Sequence, residues 1–406
     1  MASLIFCRMK GIEQYIDLFE SERTRIDAGS HAVLNARRDE ASAAFRRMGF
    51  PSQKVERYKY TDVAAAFAPN YGWQMSTSHH EGYAENNDVL PLYGTLADVH
   101  ADAITALNTM FVQDVVVIRL RADEHKEHPV QITNIMRATA PLMQHRRLLV
   151  VAEAGADVQI ILGDKAEMGQ DFLTTQVTEI FVSEGAHVAL YDIEDTHERF
   201  RRFHQVFARV EAGGHLTHTA FTLAGGISRN QTDVYLVGEG AFVNLLGCAI
   251  TNGAQHVDNN TLIEHLAPGC TSRELYKYVV DQQSTGAFAG RVLVHEGAQK
   301  TDSVERNANL VCTDQARMWT QPMLEIYADD VKCSHGSTVG QLNNDALFYM
   351  RQRGISETEA RTLLKQAFAS EVLNEIPLEA LRQRLHVQVE KRFRTCEDCK
   401  LCEKKN

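Results

Sequence analysis

The sequence predicts a mainly β protein in which a long strand-rich core lies between two helical regions. Helical periodicity is confined to the two ends of the 406 residues. Between them, short apolar or alternating runs recur, and no proline occurs from Leu142 to Ala267. We therefore predict an N-terminal helical and mixed region (1–110), a β core (111–342) and a C-terminal helical region with a cysteine-rich tail (343–406).

The N-terminal region begins with amphipathic helices. Four apolar residues follow the spacing of one helix face: Ile12, Tyr15, Ile16 and Phe19. Gly49 and Pro51 end the helical pattern. Residues 51–110 are mixed, and we interpret the polar stretch around His79 and His80 as a solvated loop, because no other ligand-spaced residue accompanies the pair.

The core contains many short strands and no helices that could connect parallel strands across a layer. Examples are VVVIRL, VQITNI, RLLVVAE, HVALYDI and VNLLGCAI, with glycines between them. This texture argues against a doubly wound α/β sheet and leaves a sandwich, a barrel or a parallel β-helix. No strict repeat is visible, so a solenoid would have to be irregular.

The C-terminal region returns to helices with recognisable caps. Asn343 and Asn344 suit one N-terminus, Gly354 suits the end of that helix, and Ser356 opens the next. Pro377 suits the first turn of a third helix. One apolar face of the second helix is predicted to comprise Ala360, Leu363, Leu364, Ala367 and Phe368.

Composition and charge exclude several classes of function. The formal net charge of −11 argues against a general nucleic-acid binder. No apolar run approaches the roughly 20 residues of a membrane helix. The start, MASLIFCRMK, lacks the features of a signal peptide, so we expect a cytoplasmic protein.

Short catalytic motifs are missing as well. The chain has no Walker A loop, no G-x-G-x-x-G, no G-x-S-x-G elbow and no H-E-x-x-H helix. We therefore expect that the protein is not an enzyme in its own right.

The stretch EIYADDVKCSHGSTVGQL carries the clearest chemistry. If it is a strand, Cys333 and His335 lie on one face together with Val331 and Asp329. Sulfur beside imidazole can bind zinc, copper or an iron–sulfur cluster. Two ligands do not complete a site, so any metal here needs further ligands from elsewhere, including another chain.

Two further constellations could hold metal. Cys396, Cys399 and Cys402 resemble the start of a ferredoxin pattern, and they support an alternative function as a stand-alone metal or iron–sulfur protein. A second group consists of His256, Asp258, His265 and Cys270. For that group we favour hydrogen-bonded polar residues over a ligand set.

Residues 228–355 resemble the SufB/SufD family of the SUF iron–sulfur cluster assembly machinery. The matching segments are SRNQTDVYLVGEGA, HVDNNTLIEHLAPGCTSRELYKYVV, GAFAGRVLVHEGAQKTDSVERNANLV and PMLEIYADDVKCSHGSTVGQLNNDALFYMRQRGI. The chain's length and CSHGSTVGQL are more similar to SufD than to SufB.

This resemblance implies a right-handed parallel β-helix flanked by helical regions, and a scaffold role without catalysis. It implies a SufB-like partner at the β-helix end, with a transient cluster or iron at that interface, His335 contributing and Cys333 beside it. No cofactor is expected to stay on the isolated chain, which could form a homodimer. A SufC-like ATPase is expected on the C-terminal helices, at Asp345, Phe348, Tyr349, Arg351 and Arg353.

Overall fold

The computed structural model describes residues 2–73, 86, 88–167 and 169–394. Its helices are α1 (Ala2–Ala28), α2 (Ala32–Asn35), α3 (Arg38–Met48), α4 (Val63–Phe67), α5 (Ala103–Phe111), α6 (Asn344–Gln352), α7 (Glu357–Asn374) and α8 (Glu379–Phe393). Short 3₁₀ turns cover Glu56–Tyr58 and Leu90–Leu92.

Seventeen strands lie in the described part of the chain. They are β1 (Gly72–Trp73), β2 (Val116–Leu120), β3 (Val130–Arg137), β4 (Leu142–Ala152), β5 (Asp157–Glu167), β6 (Phe172–Val182), β7 (His187–Asp195), β8 (Phe200–Val210), β9 (His215–Ala224), β10 (Ile227–Leu236), β11 (Phe242–Thr251), β12 (His256–His265), β13 (Thr271–Val280), β14 (Thr285–Val294), β15 (Asp302–Val311), β16 (Arg317–Ile326) and β17 (Lys332–Gly340).

The strands form two parallel sheets that the chain visits alternately. Even-numbered strands from β4 to β16 make the first sheet, to which β1 and β2 add at β4, and odd-numbered strands from β3 to β17 make the second. Each even–odd pair closes one turn of a β-solenoid of about eight turns. The prediction of a parallel β-helix with helices at both ends is confirmed, and the sandwich and barrel alternatives are excluded.

The turns are similar in length but not identical. Ile227 aligns with His256 and His256 with Thr285, each 29 positions further along the chain. Arg201 and Ile227 align at an offset of 26, and Thr285 and Arg317 at an offset of 32. Because the connecting loops vary, the structural repeat leaves no strict repeat in the sequence.

Alternate residues of each strand point into the lumen between the sheets. Much of the lumen is aliphatic, for example Leu148, Val150, Val188 and Leu190, all buried. Residues of successive turns stack in columns. Within a column, neighbouring residues are about 4.8 Å apart, which is the spacing of neighbouring strands. Burying such columns is the main favourable contribution to folding.

The N-terminal helices cover the outer face of the first sheet. Tyr15, Phe45 and Phe67 lie in one buried cluster with Phe203 of β8. The ring centroids of Phe67 and Phe203 are 4.9 Å apart. This region is therefore attached to the solenoid through an aromatic core.

Helices α7 and α8 cover the outer face of the second sheet. Ala369, Val372 and Leu373 are buried against sheet residues such as Leu246 and Leu275. The side chain of Lys277 on β13 forms an ion pair with Glu371. The C-terminal helices are thus part of the folded core, not an appendage.

Two details of the C-terminal helices differ from the sequence-based expectation. Leu363 and Ala367 are exposed, since α7 meets the sheet through its second half, around Val372. Apolar spacing alone could not say which side of this helix meets the sheet. Pro377 precedes the N-cap Leu378 of α8 and does not occupy the helix's first turn.

None of the helices in the described ranges is long and apolar enough to cross a membrane.

Candidate functional site

The solenoid ends at β16 and β17, the last strands of the two sheets. Each pairs with only one strand of its own sheet in the described part of the chain. Ile326 and Val339 continue inward columns of the turn below but are exposed. Pro322 lies on β16, as expected for an edge strand, where a missing N–H costs no ladder bond. This end therefore presents apolar side chains and two open strand edges.

Cys333 and His335 lie on β17, at this open end. Cys333 aligns with Ser303 and His335 with Glu305 of the preceding turn, so both are on the inward face of the strand. The predicted strand, with the two side chains on one face, is confirmed. Cys333 is half-buried against the lumen core, and burial raises the pKa of its thiol. The His335 side chain is exposed.

The two acidic residues of the motif do not join this face. Asp329 and Asp330 are exposed in the loop before β17. The Asp330 backbone N–H donates to Gln299 Oε1 at 2.9 Å, which orders the loop. Asp329 therefore does not share the strand face with Cys333 as the sequence-based expectation had it, because the strand begins only at Lys332.

Beneath His335 the lumen holds two buried carboxyl groups that the sequence analysis missed. Leu245, Glu274, Glu305 and His335 align in one column over four successive turns. Glu274 is 3% and Glu305 1% exposed. None of their four carboxylate oxygens has a hydrogen-bond partner in the described part of the chain. Strand alternation, which puts Glu274 on the face of the buried Tyr276, is the signal that could have found them.

The pKa values of both carboxyl groups are raised. Burial raises the pKa of Glu274 to about 7. Burial, with a further contribution from the neighbouring Glu274 charge, raises that of Glu305 to about 9. Two like charges in an apolar environment resist ionisation together.

Another polar cluster lies several turns away, and its charges are paired. We call it the Arg202 cluster; it comprises Arg146, Asp164, Asp192, Arg202 and His204. Arg202 donates to Asp164 at 2.6 Å and to both Asp192 oxygens at 2.6 and 2.7 Å. The Arg202 and His204 side chains hold the pKa of the Asp192 carboxyl well below its usual range.

No group of three or more His, Cys, Asp or Glu side chains within the described ranges is arranged to hold a metal ion. The pair formed by Cys333 and His335 therefore does not complete a ligand set from those residues. Cys396, Cys399 and Cys402 lie outside the described residues, as do His79 and His80.

The group formed by His256, Asp258, His265 and Cys270 is split by the sheet. His256 and Asp258 point outward, and both contact Thr61 Oγ1, at 3.0 and 2.6 Å. His265 lies inside the lumen, with its Nε2 3.0 Å from Ser272 Oγ. The hydrogen-bonded interpretation is confirmed for the two histidines and Asp258, whose partners are protein hydroxyls.

Helix α6 projects an exposed aromatic surface. Asn343 caps the helix by accepting from the backbone N–H of Asp345 at 2.8 Å, as the sequence predicts. Leu347 faces inward and is buried. Phe348 and Tyr349 are 64% and 59% exposed, which is unusual for adjacent aromatic residues.

Two arginines flank this surface. Arg351 lies 3.5 Å from a carboxylate oxygen of Glu357 at the start of α7. The Arg353 guanidinium lies over the Tyr349 ring, 5.1 Å from its centroid. Asp345, Phe348, Tyr349, Arg351 and Arg353 thus belong to one short segment, which we name the α6 surface.

Comparisons with known proteins agree with the architecture. A family model described as "SUF system FeS cluster assembly, SufBD core domain" matches residues 134–368. A second model, the "SufBD protein N-terminal region", matches residues 9–88 and 78–132.

Individual relatives include an iron–sulfur cluster assembly SufBD family protein of Synechocystis sp., 32% identical over 70% of this chain and 65% of the relative. The iron–sulfur cluster assembly protein SufD of Escherichia coli is 26% identical over 94% of this chain and 96% of its own length. The chloroplastic protein ABCI7 of Arabidopsis thaliana is 28% identical over 71% of this chain and 62% of its own length.

Proposed function

We propose that this chain, which belongs to the SufBD family, takes part in iron–sulfur cluster assembly by the SUF system and acts there as a non-enzymatic scaffold. In this proposal it pairs with a SufB-like subunit through the open end of the solenoid and carries a SufC-like ATPase on its C-terminal helices. The cluster, or its iron, is a transient cargo held at the subunit interface, in the cytoplasm.

The observation that carries the proposal is the position of His335. It is exposed on the last strand of the solenoid, beside a half-buried thiol and two open strand edges. Open edges favour pairing with another chain. An imidazole and a thiol at such an edge supply part of a ligand set, which a partner could complete.

The proposed ATPase contact is supported by the α6 surface. Exposed adjacent aromatics flanked by arginines are typical of interface residues. Because α7 and α8 bury part of the second sheet, deleting the whole C-terminal region would expose that sheet and confuse misfolding with lost docking. Substitutions on α6 are therefore the sharper test.

We expect His335→Ala to lower the iron and sulfide bound by the co-expressed three-subunit complex, without loss of the subunits from it. Ser334→Ala is the matched control, because Ser334 is exposed on the opposite face of the same strand. Iron and acid-labile sulfide are measured per purified complex. Unchanged cluster content with His335→Ala would remove His335 from the mechanism.

We expect Phe348→Ala combined with Tyr349→Ala to abolish capture of the ATPase partner while retaining the SufB-like subunit. Glu379→Ala, on α8, is the control. The amounts of the ATPase and of the SufB-like subunit that copurify with this chain are measured after affinity purification. Full ATPase recovery with the double variant would mean that the docking surface lies elsewhere.

A further inference from the structure

We propose that Glu274, Glu305 and the Thr261 hydroxyl form a binding site for a hard divalent cation inside the lumen, below the open end of the solenoid. The site is separate from Cys333 and His335. The inference goes beyond the scaffold role and does not depend on it, because it concerns the isolated chain.

The Glu305 side chain crosses the lumen to the facing sheet. A Cβ added at Gly290 of β14 would lie 2.2 Å from Glu305 Oε1. The missing side chain at Gly290 therefore makes the space that the carboxyl group occupies. Gly290 aligns with Thr261 of the turn below, so the Glu305 carboxyl lies near the column that contains Thr261.

Thr261 supplies an independent polar group at the same place. Its side chain is 2% exposed, and Oγ1 has no hydrogen-bond partner in the described part of the chain. It faces inward, as do Val257 and Ile263 of the same strand, which lie in the lumen core. The Thr261 hydroxyl lowers the pKa of the Glu274 carboxyl, and this effect opposes the larger effect of burial. The hydroxyl and the carboxyl group do not form a hydrogen bond with each other.

Five buried oxygen atoms on neighbouring positions of the lumen thus lack hydrogen-bond partners in the described part of the chain: two from Glu274, two from Glu305 and one from Thr261. Buried polar groups are almost always satisfied, so such a group requires an explanation. Carboxylate and hydroxyl oxygens are the ligands that Mg²⁺, Mn²⁺ and similar hard cations prefer. A divalent cation would satisfy these oxygens and balance the two negative charges.

The protonation of the two carboxyl groups is consistent with an exchange of protons for a cation. Without a cation, burial raises the pKa of Glu274 to about 7 and that of Glu305 to about 9, so the pair retains protons near neutrality. Binding of a divalent cation displaces the retained protons to solvent as the carboxylates become ligands. No oxidant or reductant is required.

The site also has a route of entry. In the described ranges a single turn, the last, lies above Glu305, and its inward residue in that column, His335, is exposed. Neighbouring turns are about 4.8 Å apart. A cation could therefore reach the site from the open end of the solenoid.

The test is a titration of the isolated full-length chain with Mn²⁺, in which the electron paramagnetic resonance signal of free Mn²⁺ reports binding. We expect one Mn²⁺ per chain at a site that Glu274→Gln and Glu305→Gln each weaken at least about tenfold. Thr261→Val should weaken it less, because a neutral ligand is lost. Glu264→Gln is the matched control, because Glu264 points outward on β12 and pairs with His295 at 2.9 Å.

Circular dichroism of each variant checks the fold, and the Thr261 variant keeps the test decisive if a glutamine variant misfolds. Absence of stoichiometric Mn²⁺ binding at millimolar concentration would overturn the inference, as would equal affinity in Glu274→Gln, Glu305→Gln and wild type. Mn²⁺ binding is measured on the isolated chain, and cluster content on the three-subunit complex. Failure of the cation site and failure of the scaffold proposal are therefore separate results.

Discussion

Two groups of charged side chains that are buried in the lumen of the solenoid, the Arg202 cluster and the pair Glu274 and Glu305, are built in different ways. In the Arg202 cluster, each carboxylate of Asp164 and Asp192 accepts from a guanidinium. Under the open end, Glu274 and Glu305 align on successive turns, and their carboxylate oxygens have no hydrogen-bond partner among the described residues. The same fold can therefore pair buried charges, and in the turns beneath His335 it leaves two neighbouring carboxyl groups unpaired within the described part of the chain.

The paired cluster and the unpaired carboxyl groups suit different roles: the first stabilises the fold, and the second can bind a ligand. Removing one member of a paired buried cluster destabilises the protein strongly, but the paired groups have few free donors or acceptors with which to bind a ligand. An unpaired carboxyl pair costs stability and keeps its bonding capacity. Departures from local rules of this kind occur at functional sites, where stability is given up for activity.

The largest effect is expected at the paired end. Arg202→Met leaves Asp164 and Asp192 buried without their main partner, and removing one member of a buried pair costs about 3–5 kcal/mol. We expect a large fall in melting temperature or failure to fold. The control is Arg199→Met, which removes an exposed pair with Asp171 that contributes about 0–1 kcal/mol. Similar melting temperatures for the two variants would contradict the contrast between buried and exposed pairing.

The second effect is a dependence of stability on pH that comes from the unpaired end. The pKa values of Glu274 and Glu305 rise from 4.5 to about 7 and 9 on folding. Their contribution to the free energy of unfolding is therefore complete below pH 4.5, where both groups are protonated, and is lost as the pH rises towards 9. In cation-free buffer, Glu305→Gln should raise the free energy of unfolding at pH 9 by a few kcal/mol and change it little at pH 5. The melting temperature measured at each pH should follow the same pattern.

The paired carboxylates should behave in the opposite way. Asp192 has a lowered pKa, so its contribution is present at neutral pH and is lost only in acid, as the pH falls below its usual range. Glu194 beside that cluster has a pKa raised to about 7 by burial, so total stability is a mixture. The comparison must therefore be the difference between wild type and Glu305→Gln at each pH. A difference that does not grow with pH would mean that Glu305 is not buried in its charged state.

Local chemistry explains which parts of this structure were predictable. Helix caps depend on neighbouring residues, and Asn343 and Ser356 cap their helices as the sequence predicts. The strand face shared by Cys333 and His335 depends only on alternation. The choice of a solenoid over a sandwich or barrel does not follow from local pattern, because the offset between turns varies with loop length.

Alternation indicates that each carboxyl group faces inward, but for the same reason it could not predict that the two are neighbours. Glu274 and Glu305 are 31 positions apart, and they become neighbours only through the register of β13 and β15. A one-residue slip in that register would turn one carboxyl group out of the lumen. The exposed Leu363 shows a related limit, since helical spacing does not identify the sheet that a helix meets.

The smallest expected effect tests the geometry of the unpaired end directly. Gly290→Ala places a methyl group against the Glu305 carboxyl, which must move, and Phe288 lies nearby as well. We expect a loss of about 1 kcal/mol, at the low end of overpacking costs, measured by chemical denaturation at pH 6. Because Glu305 provides the nearest contact, the same substitution made together with Glu305→Ala should cost less than it does alone. A non-zero coupling in this double-mutant cycle would show that Glu305 reaches across the lumen to Gly290. Additive costs would place the carboxyl elsewhere, and the contrast with the Arg202 cluster would then lose its structural basis, since Glu305 would be free to find a partner or solvent.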